Sequence, residues 1–143
     1  MRTNPVLATH LLLTRGQTLL LIRRANTGWM DGHWSLPAGH VEAGESAAAA
    51  TCREADEEVG VAIDPAHLLL AHTMHRSSDA PRIDLFFTAS RWSNEPHNRE
   101  PERCDGLVWA DPGALPEPMV PYVARAIAAW QAALPYSEHG WNP

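Results

Sequence analysis

Residues 39–61 read GHVEAGESAAAATCREADEEVGV, and this stretch predicts the local structure around which the rest of the chain is arranged. Its alanine-rich part has strong helix propensity. Ser46 is a suitable N-cap and Gly60 a suitable stop signal, so we predict a helix from about Ser46 to Val59. The residues before it, Leu36–Glu45, are punctuated by glycine and predict a loop.

Acidic side chains are concentrated in the same stretch. Residues 42–58 hold six acids and one base, a net charge of −5, whereas the whole chain carries −6. Three of these acids follow the spacing i, i+3, i+4 and therefore share one helix face, where their repulsion costs a few tenths of a kcal/mol per pair. Hard divalent cations bound by carboxylate oxygens would offset that cost. The three acids are Glu54, Glu57 and Glu58, and a separate apolar stripe is formed by Ala48, Cys52, Ala55 and Val59.

The spacing of the glycines and charges resembles the Nudix box, the signature loop and helix of the Nudix hydrolases. The matching positions are Gly39, Glu45, Arg53, Glu54, Glu57, Glu58 and Gly60. Ala55 departs from the pattern, since the family usually has a larger aliphatic residue there. The resemblance implies an α/β fold, namely an α/β/α sandwich with a mixed β-sheet and the box as loop–helix–loop. It also implies hydrolysis of a pyrophosphate bond in a nucleoside diphosphate linked to another group.

The remainder of the chain alternates between strand and helix patterns, which predicts an α/β sandwich with a mixed sheet in a single domain, residues 1–143. The first two strands should form a hairpin. The predicted strands are Val6–Leu13, Thr18–Ile22, His33–Leu36, Leu68–Met74, Ile83–Ser90 and Leu107–Ala110, followed by a helix at Tyr122–Leu134. We predict loops or irregular segments at Arg23–Met30, Arg91–Asp105, Pro112–Pro121 and Pro135–Pro143.

The resemblance also implies a set of roles for the residues of the box. Mg²⁺, with Mn²⁺ as a possible substitute, would be held by the carbonyl of Ala38 and by Glu54, Glu57 and Glu58. Arg53 would orient carboxylates, and Glu54 or Glu57 would act as the general base. Gly39 and Glu45 would support this arrangement.

Residues outside the box are candidates for contacts with the substrate. Arginine is suited to phosphate, tryptophan to stacking on a base, and aspartate to reading a base or ribose edge. An additional acid from the loop before the last predicted strand is also common among proteins with this box. The candidates are Arg23, Trp34, His75, Arg76, Asp84, Glu100 and Glu102, with Trp29 as a second possible stacking residue.

The amino-acid composition limits the classes of molecule that the protein is expected to bind. The sequence pI is about 5.7 and no basic stripe is present, which argues against binding to duplex nucleic acid. No apolar run reaches the length of a membrane span, and no signal-peptide pattern is present, so the sequence predicts a cytoplasmic protein that does not contact membranes. We expect a small nucleotide as substrate and a monomer or homodimer.

Three functions remain open from the sequence. A nucleoside triphosphate, cleaved to the monophosphate and pyrophosphate, is favoured because markers of other substrates are missing: no proline stands about fifteen residues past the box, and Tyr122 and Tyr136 are far from it. Cleavage of ADP-ribose or a nucleotide sugar is the second possibility. A non-catalytic nucleotide-binding module is the third, and the complete set of carboxylates argues against it.

Overall fold

The structure is a computed structural model, and it describes residues 1–142. Within those residues it contains eight β-strands and two α-helices. The strands are β1 Val6–Arg15, β2 Thr18–Arg24, β3 Trp34–Ser35, β4 Ala38–His40, β5 Leu69–Ser77, β6 Pro81–Ala89, β7 Cys104–Ala110 and β8 Tyr136–His139. The helices are α1 Ala47–Val59 and α2 Pro121–Gln131, and a short 3₁₀ helix covers Pro65–His67.

All eight strands belong to one mixed sheet. Its main path runs β3-β2-β1-β6-β5-β8, with β4 beside β1 and β7 beside β2. Strand β1 is parallel to β6 and β5 is parallel to β8, whereas the other pairings are antiparallel. The long strand β1 pairs with β4 near its start and with β2 at its end, so it connects the two halves of the sheet.

The two helices cover opposite faces of the sheet. Successive side chains of a strand point to opposite faces. Accordingly, Leu11 and Leu13 of β1 pack with Ala55 and Val59 of α1, while Leu12 packs with α2. The core therefore has two layers separated by the sheet, which confirms the predicted α/β/α sandwich.

Helix α1 begins and ends where the sequence predicts. The Ser46 hydroxyl accepts a hydrogen bond from the Ala49 N–H at 3.1 Å, and Gly60 ends the helix at φ 69°, in the left-handed region that favours glycine. Ala55 and Val59 are buried as predicted, and so are Ala50 and Thr51. The Thr51 hydroxyl is hydrogen-bonded to the hydroxyl of Thr9 on β1, a pairing that the apolar stripe did not reveal.

Several boundaries differ from the prediction. Residues 38–40 were predicted as loop but form β4, because their backbone pairs with Ala8–His10 of β1. The segment predicted as an irregular tail contains β8, whose residues pair with Thr73–Arg76 of β5. Strand β2 extends two residues beyond Ile22, and β7 begins three residues before Leu107. Pro143, at the end of the predicted tail, lies outside the described residues.

Candidate active site

Strand β4 and helix α1 meet at the acidic helix face. The Glu58 carboxylate accepts a hydrogen bond from the Ala38 N–H at 2.9 Å. At Gly39, an added Cβ would overlap the carboxyl group of Glu54. A side chain at position 39 would therefore displace the Glu54 carboxyl group, and with glycine there two of the predicted carboxylates lie directly against β4.

Arg53 links the acids to one another and to the loop before the helix. Its guanidinium donates to Glu45 at 2.7 and 3.1 Å, to Glu54 at 2.7 Å and to Glu57 at 3.3 Å. It also donates to the carbonyl of His40 at 3.1 Å. A planar guanidinium with five N–H donors is suited to hold several carboxylates in fixed positions, so Arg53 orients the acids while neutralising one of their charges.

Burial and like charges change the acidity of two carboxyl groups. Burial, followed by the charge of Glu54, raises the pKa of Glu58 well above its usual range. Burial likewise raises the pKa of Glu54, partly opposed by Arg53. By contrast, hydrogen bonds from Arg53 lower the pKa of Glu45. The cleft thus holds more negative charge than Arg53 compensates.

The loop between β6 and β7 adds another acid to this cleft. The N–H groups of His97 and Arg99 donate to the carbonyls of Val59 and Glu58, at 3.0 and 3.1 Å, and so satisfy the C-terminal end of α1. This attachment places Glu100 in the same cleft as the helix acids. The candidate acid predicted from the loop is thereby brought to the box.

The cleft has a volume of about 540 Å³. Among residues 1–142, no three carboxylate, imidazole or thiol groups already converge on a single point where an ion would bind. The hydrogen bonds explain this arrangement, because Glu54 and Glu57 are turned toward Arg53 and Glu58 toward Ala38. The donor set nevertheless suits a hard divalent cation, since oxygen ligands carrying excess negative charge border one cleft. Its acidic lining residues are Glu42, Glu54, Glu57, Glu58 and Glu100, and its basic ones are Arg24, Arg53 and Arg103.

A second cavity of about 490 Å³, the aromatic cavity, adjoins this acidic cleft on the α2 side of the sheet. Both cavities are bordered by Arg24 and by the three residues of β4. The second one differs in chemistry, because aromatic rings and arginines line it instead of glutamates. Beyond the shared residues, its lining is Ala8, His10, Trp29, Arg76, Ser78, Asp79, Arg82 and Tyr122.

Two of the predicted substrate-contact residues form a buried ion pair beside this cavity. Arg76 donates to Asp84 at 2.7 and 3.3 Å, and their side chains are 8% and 0% exposed. The Arg76 guanidinium lies 3.7 Å from the centre of the Tyr122 ring. Arg76 borders the cavity, whereas Asp84 is behind it.

Of the other predicted contact residues, Trp29 lines the second cavity, whereas Arg23, Trp34, His75 and Glu102 line neither. Arg23 is bonded to Asp105 at 2.6 Å and lies over the ring of Trp34. The ring of His75 packs on Trp141, on the other face of the sheet from Arg76. Glu102 is exposed in the loop.

Sequence reasoning missed several residues that line the cavities. Strand β2 continues to Arg24, with an irregular register at Arg23 and Arg24, and Arg24 rather than Arg23 borders both cavities. The sequence predicts a strand at His10 and a helix at Tyr122 but no role in the site for either. In the structure, His10 Nε2 and the Tyr122 hydroxyl are hydrogen-bonded at 2.9 Å. A sequence signal existed for Arg24 in the Arg23-Arg24 pair, but none indicated which of the two faces inward.

Comparison with known proteins adds independent evidence. The family model of the NUDIX domain matches residues 4–131. The 8-oxo-dGTP diphosphatase of Escherichia coli K12 is 29% identical over 122 residues, covering 83% of this chain and 93% of that protein. The phosphatase NudJ of the same strain is 26% identical over 106 residues, covering 72% and 69%. The crystal structure of the MutT NUDIX hydrolase from Burkholderia pseudomallei superposes with a TM-score of 0.80 at 27% identity, covering 87% and 97%. No helix within residues 1–142 is long and apolar enough to cross a membrane.

Proposed function

Because this chain belongs to the Nudix hydrolases, which act on pyrophosphate bonds, we propose that it hydrolyses nucleoside triphosphates to the monophosphate and pyrophosphate in a Mg²⁺-dependent reaction. The observation that carries this proposal is the junction of two chemically different cavities at β4. The acidic cleft suits a metal and a polyphosphate, and the aromatic cavity suits a nucleoside. A triphosphate fits both, with its phosphates crossing β4 beside Arg24.

Nudix hydrolases generally use divalent metal ions. In this chain Glu54, Glu57, Glu58 and the carbonyl of Ala38 would hold Mg²⁺, which neutralises phosphate charge and makes water more acidic. Glu54 or Glu57 takes the proton as water attacks a phosphorus of the phosphate chain, and the products are the monophosphate and pyrophosphate. Of the two, Glu54 is the more buried, and its raised pKa brings it closer to that of an effective base at neutral pH. Arg53 and Glu45 hold the acids in place, and Gly39 allows β4 to approach them.

The decisive experiment is a substrate panel. Purified protein with Mg²⁺ is offered nucleoside triphosphates, ADP-ribose and nucleotide sugars, and kcat/KM is measured from the nucleoside monophosphate that cleavage of each of them releases. We expect the triphosphates to be preferred, and reaction in ¹⁸O-water should identify which product carries the label. A preference for ADP-ribose or a nucleotide sugar over every triphosphate would show that the proposed substrate is wrong. The proposal of metal-assisted hydrolysis would still stand.

A pair of variants tests whether the box performs the reaction. Glu57→Gln removes a carboxylate that borders the cleft, whereas Asp56→Asn removes its neighbour, which lines neither cavity. We expect a loss of about 100-fold or more in kcat for the first, in line with removal of a catalytic carboxylate, and less than about threefold for the second. Equal losses in both would indicate that general helix charge, and not a defined site, supports activity.

A further inference from the structure

The buried pair of Arg76 and Asp84 leaves one nitrogen free. Arg76 uses Nε and Nη2 to bond Asp84, while Nη1 donates to no protein atom within residues 1–142. In the same residues, no buried side-chain nitrogen or oxygen lacks a hydrogen-bond partner, so Nη1 is not sealed in the interior. The open space that Arg76 borders is the aromatic cavity, and we assign Nη1 to it.

The position of this nitrogen is fixed from two sides. Asp84 lies in the middle of β6 and is fully buried, and the ring of Tyr122 lies against the guanidinium at 3.7 Å. An arginine held by a bidentate carboxylate and an aromatic face loses little further freedom when it binds a ligand. Nη1 is therefore a preorganised donor at the wall of the cavity.

Other polar groups of the same wall are already occupied. The two ring nitrogens of His10 are bonded to the Leu85 carbonyl and the Tyr122 hydroxyl, at 3.3 and 2.9 Å. Arg82 is hydrogen-bonded to Asp79 and contacts His40. Of these three side chains, Arg76 is the one with a nitrogen left for a ligand.

Charge decides which kind of acceptor fits there. The positive charge of Arg76 is already compensated by Asp84, and a phosphate at Nη1 would lie close to that carboxylate. A neutral acceptor meets no such repulsion. With Tyr122 and Trp29 lining the same cavity, the group that fits is a carbonyl oxygen on a flat heterocycle.

We propose that Arg76, held by Asp84 against Tyr122, selects nucleotides whose base presents a carbonyl oxygen over those that present an amino group at the same position. The inference rests on the proposed cleavage of nucleoside triphosphates. Arginine donates hydrogen bonds and accepts none. It therefore favours a 6-oxopurine over adenine and uracil over cytosine, because in each pair an oxo group replaces an amino group at almost constant shape.

Matched pairs of substrates test the selection. We expect kcat/KM for inosine triphosphate to exceed that for ATP about tenfold or more, and UTP to exceed CTP in the same direction. The difference should fall mainly on KM, because Arg76 is remote from the box acids. Binding of the monophosphates IMP and AMP, measured by calorimetry in the presence of a chelator, should show the same order without any turnover.

Variants assign the selection to Arg76. Removing the arginine alone would leave Asp84 buried without a partner, so the double variant Arg76→Gln/Asp84→Asn is used, in which both groups remain able to hydrogen-bond. Glutamine both donates and accepts, so the preference for oxo over amino bases should fall to about twofold or less. Arg76→Met/Asp84→Leu, which replaces both partners by apolar side chains and removes the donor, serves as the second variant should the first double variant fail to fold. Arg15→Gln, whose arginine pairs with exposed Glu95, is the control and should keep the wild-type preference.

The outcomes separate this inference from the proposed function. Preferential binding of IMP without cleavage of any triphosphate would support the role of Arg76 and reject the proposed reaction. Cleavage of ATP and inosine triphosphate with equal kcat/KM would reject the role of Arg76 and leave the reaction standing. A preference retained in both Arg76 variants would also overturn the assignment.

Discussion

Glu58 combines partial burial with neighbouring negative charge, and this combination has opposite consequences for stability and activity. Its folded-state pKa is raised by burial and by Glu54, so the native state binds a proton more tightly than the unfolded state does. The stabilising contribution is present below the unfolded pKa and is lost as pH rises through the folded pKa. At neutral pH without metal, which is above the unfolded pKa, this stabilising contribution is at least partly lost.

We accordingly expect Glu58→Gln to be as stable as wild type or more stable at pH 7 in a chelator, while losing activity. Relief of repulsion along the helix alone contributes about 0.2–0.5 kcal/mol, and the amide oxygen can still accept from the Ala38 N–H. Urea unfolding at pH 5 and pH 7 measures the effect, and the gain should be larger at pH 7. A destabilised Glu58→Gln would show that the carboxylate supports the fold, contrary to this assignment.

His10 gives a second pH dependence with the opposite sign. Burial lowers its pKa from 6.5 to about 4, so the imidazole is neutral in the native state at pH 7. Between these two values the unfolded state binds more protons, and stability falls as pH is lowered. The shift corresponds to about 3 kcal/mol when pH drops through the whole window.

His10→Gln isolates that contribution in the metal-free protein. Glutamine can keep hydrogen bonds to Tyr122 and to the Leu85 carbonyl but does not titrate. We expect the variant to be less stable at pH 7, since it loses the ring stacked on Phe86, yet to have a flatter dependence on pH between 6.5 and 4. Parallel stability curves for variant and wild type would contradict the buried neutral imidazole.

At the scale of elements, the end of α1 couples helix stability to the position of Glu100. Gly60 has φ 69°, and an added Cβ would overlap the imidazole of His97, which lies in the loop that carries Glu100. Gly16 has a similar φ of 58° but nothing within 4 Å of the added atom. The two glycines therefore share the backbone cost of a non-glycine residue and differ in packing.

We expect Gly16→Ala to lose about 1–2 kcal/mol of unfolding free energy through backbone strain and Gly60→Ala to lose more, through displacement of the loop. Gly60→Ala should also reduce kcat, because Glu100 borders the cleft. Denaturant unfolding and steady-state kinetics of both variants supply the comparison. Equal losses of stability with unchanged kcat in Gly60→Ala would mean that the loop is not held by this contact.

The elements that the sequence predicted well are those determined by local signals. Helix α1 has a serine cap, a glycine stop and a periodic apolar stripe, all within the helix or next to it. Strands β4 and β8 are three and four residues long and exist because distant strands offer hydrogen-bonding partners. Short segments of this kind carry too few side chains for a period-two pattern to appear.

At the scale of the whole molecule, the two cavities also differ in whether local sequence signals or distant contacts determine them. The acids of the cleft come mostly from one helix, so their spacing was visible in the sequence. The aromatic cavity is assembled from β1, β2, β4, β5, β6, α2, the segment after β2 and the turn between β5 and β6, and its composition depends on the packing of the sheet. Asp84 illustrates the difficulty, since a fully buried aspartate in a strand is unusual without a partner, and nothing local shows that Arg76 is that partner.

Metal binding should be detectable in the stability of the whole molecule. Excess carboxylate charge in the cleft destabilises the metal-free protein, and a cation that binds only the folded state adds RT ln(1 + [L]/Kd), about 2.7 kcal/mol at a hundred times Kd. We expect Mg²⁺ to raise Tm in a concentration-dependent manner, whereas NaCl at equal ionic strength should reproduce only the screening of surface charges. The shift requires no substrate, so it tests the metal site independently of catalysis.

Variants decide whether this shift comes from the proposed site. Glu58→Gln removes a carboxylate next to β4, and Asp56→Asn removes an acid of the same helix that lines neither cavity. The Mg²⁺-induced rise in Tm should be mostly lost in Glu58→Gln and retained in Asp56→Asn. A rise that persists in Glu58→Gln would place the cation elsewhere on this chain of net charge −6, and the assignment of the box acids as its ligands would then be wrong even if activity still required Mg²⁺.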